Sequence, residues 1–156
     1  MSDALSEIRG NEIVRDHTSA LAALVRFYRA FNERDIEALE ANWAQSDEPS
    51  MDNPIGGIRR GWGSIRAGYM RLFQGPATVT VTFRDFTLHN GTDYCLFVGR
   101  EAGSCETPDG IIDLRIRTSR LFVRSQGSWR QLHHHGSIDE PAMLAEYQRA
   151  IFGANA

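Results

Sequence analysis

The chain has only two cysteines, Cys95 and Cys105, in 156 residues. They form no CxxC pair and no disulfide framework, which excludes a disulfide-stapled scaffold and fits a reducing compartment. One core thiol and one loop thiol is the reading adopted. No apolar run reaches membrane-spanning length, and residues 1–11 have neither the apolar core nor the small-residue cleavage pattern of a signal peptide. A soluble, cytoplasmic protein without a membrane partner is expected. Basic residues are scattered, the net charge is −3 and the pI is near 5.9, so nothing draws the chain to nucleic acid. Gly56-Gly57 and Gly61-Trp62-Gly63 lack the strand and spacing of a phosphate loop or dinucleotide fingerprint. With no nucleophilic serine motif either, no cofactor is expected. Internal repeats, low-complexity tracts and linkers are also missing.

What is present changes period once. Leu21, Leu24, Val25, Tyr28 and Phe31 recur as on a one-faced helix from Thr18, and Asp35 is placed to cap a second helix carrying Ile36, Leu39 and Trp43. A short extended piece over residues 49–52 and the Pro54-Ile55-Gly56-Gly57 turn lead to a third helix. That helix runs from about Gly63 to Phe73 and is stopped by Gly75-Pro76. Beyond Pro76 the pattern alternates. Val79, Val81 and Phe83 share one parity and Phe86 and Leu88 the other, which predicts a bulge near Arg84-Asp85. Turns at Asn90-Gly91, Pro108-Asp109-Gly110 and Gln126-Gly127-Ser128 divide the rest into four antiparallel strands. A last helix starts at Asp139-Glu140-Pro141, with Met143, Leu144, Tyr147 and Ile151 as its buried side. The length suits one domain. Residues 1–16 read as a loose leader, 17–139 as the domain, and 140–156 as a C-terminal helix packed on it.

Two strands carry ionisable side chains where burial is expected. Ile112, Leu114, Ile116, Thr118, Arg120 and Phe122 share one face, apolar except for Arg120. A cation there needs either an internal partner, read as a helix carboxylate, or a solvated pocket. In the second strand, alternation pairs His134 with Leu132 on one face, and His133 and His135 with Trp129 and Gln131 on the other. Histidines at i and i+2 can ligate a metal, but no third ligand with matching spacing is visible, so no metal site is assigned and interface or surface roles are preferred. Helices first and antiparallel strands second give an α+β fold with helices on one face of the sheet.

Leu24 to Tyr28, Asp35 to Leu39, Asn53-Pro54-Ile55-Gly56, Gly61-Trp62 and the strand Trp129 to Ser137 resemble the SnoaL-like and ketosteroid-isomerase-like branch of the nuclear transport factor two superfamily. The likeness covers about residues 18–138. It implies a cone-shaped, curved antiparallel sheet wrapped around about three N-terminal helices, with an internal pocket and a homodimer formed through the outer face of the sheet. It also implies that Leu132 and His134 face the cavity. Matching the ketosteroid isomerase motifs places Asn53 at the base position, Phe27 at the tyrosine position and Ser119 at that of the second acid, so all three roles are vacant. A one-residue slip would bring in Tyr28 and Asp52. The pattern Ser119-Arg120-Leu121-Phe122 followed by Trp129, His133, His135 and Ser137 also resembles the association domain of calcium/calmodulin-dependent kinases. That family's pocket arginines match Arg120 and fall on Gly136, and Arg100 is the candidate replacement for the missing charge.

The ligand-binding candidates are Arg120, Trp62, Tyr28, Tyr69, Asn53, Phe122 and Leu132, and the acid–base candidates are Asp52 and His134. A guanidinium fits a carboxylate or phosphate because its donors match two acceptors. Asp52 serves equally as a cap of the Pro54 turn. Two functions remain open: a small-molecule binder taking an amphiphilic or acidic ligand in the pocket, or a cofactor-free proton-transfer enzyme (isomerase, dehydratase or cyclase) using Asp52 or His134.

Overall fold

The computed structural model describes residues 5–153. Helix α1 (Ala20–Asn32) begins where the Ser19 hydroxyl accepts from the Ala22 N–H, and it buries Leu24, Val25, Phe27 and Tyr28. The Asp35 carboxylate caps α2 (Ile36–Asn42) through the Ala38 N–H. Helix α3 (Trp62–Gln74) ends at Gly75, and α4 (Pro141–Phe152) starts with proline in its first turn. Each helix lies within a few residues of the position its periodicity predicts.

The sheet is a meander of β4 (Thr78–Asn90), β5 (Tyr94–Thr107), β6 (Gly110–Ser125) and β7 (Ser128–Ser137), extended at both edges. A short β1 (Glu7–Ile8) adds to β4, while β2 (Ser50–Asp52) pairs in parallel with β7 and carries β3 (Arg59–Arg60) outside it. The order is β1-β4-β5-β6-β7-β2-β3, a curved, unclosed and mostly antiparallel seven-stranded sheet in an α+β fold. Register slips between Arg84 and Thr87, with Asp85 at φ +50°, which is the bulge expected there. The close approach of β4 to β5 also depends on glycine in β5. A Cβ at Gly103 would strike the Thr80 carbonyl oxygen and lie 2.8 Å from Val81 Cα, both backbone atoms of β4. No helix among the described residues is long and apolar enough to cross a membrane.

Residues 5–16 are fastened, contrary to the loose leader expected over 1–16. Ile8 is fully buried, Arg29 Nε donates to the Gly10 carbonyl, and Asn32 Nδ2 donates to the Arg9 carbonyl. A two-residue strand is too short to leave a period in the sequence. Residues 1–4, the rest of that expectation, lie outside the described residues.

Candidate functional site

The predicted apolar face of β6 is buried as expected, from Leu114 through Ile116, Thr118 and Arg120 to Phe122. Between that face and the helices lies a cavity of about 80 Å³. Val79, Val81 and Ile116 form its sheet wall, Tyr69 and Leu72 of α3 its helical wall, and Tyr147, Ile151 and Phe152 of α4 close it. Asn53, Arg59, Arg71, Glu101, Arg120 and His134 are its polar lining residues.

Arg120 is satisfied from within. Its Nε donates to the Tyr28 hydroxyl at 3.1 Å, Nη1 to Gln131 Oε1 at 2.8 Å and Nη2 to Glu101 Oε2 at 2.9 Å, while its guanidinium carbon sits 3.8 Å from the centroid of Phe27. Tyr28 in turn donates to Glu101 Oε2 at 2.7 Å. The ion-pair partner is therefore a strand carboxylate, where a helix carboxylate was expected. Burial opposes the charge of Arg120, but the Tyr28 and Glu101 oxygens outweigh it and hold the pKa above the usual arginine value. Burial, reinforced by Glu101, pushes the Tyr28 phenol well up, and burial pushes Tyr69 up to about 12, so both hydroxyls keep their protons.

His134 is 5 % exposed, and its Nδ1 has no hydrogen-bond partner among the described residues. Burial, then the charge of Arg120, depress its pKa well below 6.5, an effect that the nearby Ser119 backbone only partly counters. The ring is neutral in the folded protein. As pH falls below the unfolded pKa, near 6.5, the unfolded chain takes up a proton that the native state refuses. Stability should then drop by about 1.4 kcal/mol per pH unit from this group alone, until pH reaches the folded pKa. Urea denaturation of wild type and His134→Gln between pH 7.5 and 5 checks this: the variant's curve should be flatter by that slope, and parallel curves would contradict it.

β7 explains which histidine turns inward. Its register with β6 slips between Leu121 and Phe122, which pair with His133 and Gln131, leaving Leu132 as the extra residue. The bulge reverses parity, so Gln131 and His134 both face the interior and Leu132 is only partly buried and off the cavity wall. The parallel register of β2 with β7, Met51 beside His134 and Asp52 beside His135, sends Asp52 to the outer face, where its Oδ2 lies 3.1 Å from His135 Nδ1. Asp52 and His134 stand on opposite faces and cannot act as an acid–base pair.

A family model described as a SnoaL-like domain matches residues 20–141. The chain belongs to the SnoaL-like domain family. No curated protein matches it. Solved structures similar to this SnoaL-like chain include one from Thiobacillus denitrificans, provisionally described as a calcium/calmodulin-dependent protein kinase type II association domain. It is 23 % identical with a TM-score of 0.63, over 76 % of this chain and 94 % of that one. Another, provisionally described as a dehydratase of the NTF2-like family from Streptomyces avermitilis, is 19 % identical with a TM-score of 0.69, over 78 % of this chain and 95 % of that one. A third, provisionally described as a ketosteroid isomerase from Shewanella frigidimarina, is 16 % identical with a TM-score of 0.61, over 78 % and 96 %. At these identities the likeness shows the NTF2-like fold and nothing of the chemistry.

Of the candidates named from sequence, Arg120, Asn53, Tyr69 and His134 line the cavity of this SnoaL-like domain. Tyr28 lies behind the wall in the arginine network, and Phe122 is buried edge-on against Phe97 in the core. Trp62, at the start of α3, donates Nε1–H to Glu40 away from the cavity. Ser119 has outward parity, so the second-acid position of the isomerase motif does not reach the interior. Gly136 lets Pro54 approach: a Cβ there would lie 3.0 Å from Pro54 Cδ. Arg100 is exposed and paired with Asp85 on the outside, so it supplies no replacement charge. Glu101 and Gln131 were missed. Glu101 alternates with Cys95, Phe97, Gly99, Gly103 and Cys105, a charge among apolar and small residues, the same signal that singled out Arg120.

Proposed function

We propose that this SnoaL-like domain binds a small, uncharged amphiphile through a hydroxyl or similar donor group. The observation that carries the reading is a pair of buried atoms without partners at one cavity, Asn53 Oδ1 and His134 Nδ1. Buried polar groups left unmade cost folding free energy, and a ligand donor that meets them recovers it. Arg120 offers an acidic ligand no free anchor, because its charge is already answered by Glu101; Arg59 and Arg71 are the other cations at the cavity, which is why matched carboxylates belong in the test. The cavity as it stands suits a guest of a few heavy atoms, and a larger one requires α4 to shift.

The proton-transfer alternative narrows to His134, since Asp52 points away. A base held neutral by a depressed pKa is a weak one, which favours binding over turnover. Calorimetric titration with small alcohols, phenols and hydroxyketones, beside matched carboxylates, tests the reading. Saturable binding of the neutral compounds is expected, weakened about tenfold in Asn53→Leu by loss of one hydrogen bond. Preference for carboxylates, or neutral ligands indifferent to Asn53→Leu, would overturn it.

A further inference from the structure

Asp52, His133 and His135 converge on the outer face of the sheet. The parallel register Ser50 to His133, Met51 to His134 and Asp52 to His135 turns Met51 and His134 toward the cavity and the residues on either side outward. One ligand-capable atom from each of the three lies within 4.8 Å of the other two. Sequence spacing supplied the two histidines, and the pairing of β2 with β7 supplies the third ligand from 81 positions upstream of His133.

Hydrogen bonds orient these rings in advance. His133 Nδ1 lies 3.1 Å from the Ser50 carbonyl oxygen and 2.8 Å from Ser50 Oγ. A carbonyl can only accept, so Nδ1 carries the proton and Nε2 is left with a free lone pair. Metal-bound histidines are held in this way, with the non-ligating N–H donating to a carbonyl or carboxylate. His135 Nδ1 and Asp52 Oδ2 already face one another at 3.1 Å, with side-chain exposures of 54 % and 25 %, so an ion can reach them from solvent.

We propose that Asp52, His133 and His135 form a site for a divalent transition-metal ion, with its remaining positions open to water or a small ligand. Two imidazoles and one carboxylate suit zinc, nickel or copper, whereas magnesium and calcium prefer oxygen sets. Zinc bonds of about 2.0–2.2 Å put neighbouring ligand atoms about 3 Å apart, within reach of modest side-chain rotations from the present spacing. The site faces away from the cavity and does not depend on what the cavity binds.

The test uses tag-free protein stripped with chelator and titrated with zinc, and separately with cobalt followed by visible absorption. One ion per chain, a melting temperature raised by zinc and unmoved by magnesium, and cobalt d–d bands are expected. His133→Gln, His135→Gln and Asp52→Asn should each weaken zinc binding at least tenfold, while His17→Gln and His89→Gln leave it unchanged. All five positions lie at or near the surface, and circular dichroism confirms that each variant is folded. Absence of saturable binding, or full binding retained in the His133→Gln/His135→Gln double variant, would overturn the site.

Discussion

Arg120→Leu is expected to lower folding stability by about 3–5 kcal/mol, the usual effect of removing one partner of a buried ion pair. In a chain of this length that is about 10 °C or more of melting temperature. The cause is what the substitution leaves behind. Glu101 would keep only the Tyr28 hydroxyl, Gln131 would lose its donor, and the carboxylate would stay at 6 % side-chain exposure without a counter-charge. Glu101→Leu should cost a similar amount, because it strands the guanidinium. The double variant Arg120→Leu/Glu101→Leu should be more stable than either single one, since it leaves no buried charge without its counter-ion and strands only the neutral Tyr28 hydroxyl and Gln131 amide. Chemical denaturation of the three variants gives the coupling directly. If Arg120→Leu were neutral, the guanidinium would be solvated and free, and an acidic ligand would regain its anchor.

Gly103→Ala should be the next most damaging single change, at or above the upper end of the about 1–3 kcal/mol typical of overpacking. At Gly68 an added methyl would meet the flexible Arg59 side chain. At Gly103 the added methyl meets the Thr80 carbonyl oxygen and Val81 Cα, backbone of the adjoining strand, so β4 and β5 must part. Val81 also lines the cavity, so the site should loosen along with the sheet. A change under about 0.5 kcal/mol, the range of ordinary surface substitutions, would show that the strands yield easily there. Gly110→Ala offers a contrast: it has open space around the added atom, and only its φ of +147° resists the change.

Much of the fold was legible because each element carries its own period. The capping by Asp35, the stop at Gly75 and the bulge at Arg84–Thr87 follow from local chemistry, and local chemistry is written in order along the chain. The site was legible only in part. Alternation separates two faces of a strand without saying which is inward. Arg120 was recognised because its neighbours are apolar, whereas Arg100, taken as the replacement charge on β5, shares its face with Tyr94 and Val98, which the fold leaves exposed. A single extra residue, Leu132, then exchanged the faces of Trp129 and Gln131 relative to the histidines. Asp52 was misplaced for another reason. Its direction is fixed by a parallel pairing with a strand some eighty residues later, and no local pattern encodes such a partner.

The helix that closes the cavity is tied down by contacts of its side chains, among them Gln148 reaching the Ile55 carbonyl and Arg71 stacked 4.6 Å over Phe152. The opposite wall is woven into a continuous ladder of main-chain hydrogen bonds. Compliance is therefore expected to be one-sided: displacing α4 breaks a few side-chain contacts, whereas parting the woven side breaks a ladder of main-chain bonds. On the binding proposal, size discrimination should follow substitutions along α4, while chemical preference should follow Asn53 and His134.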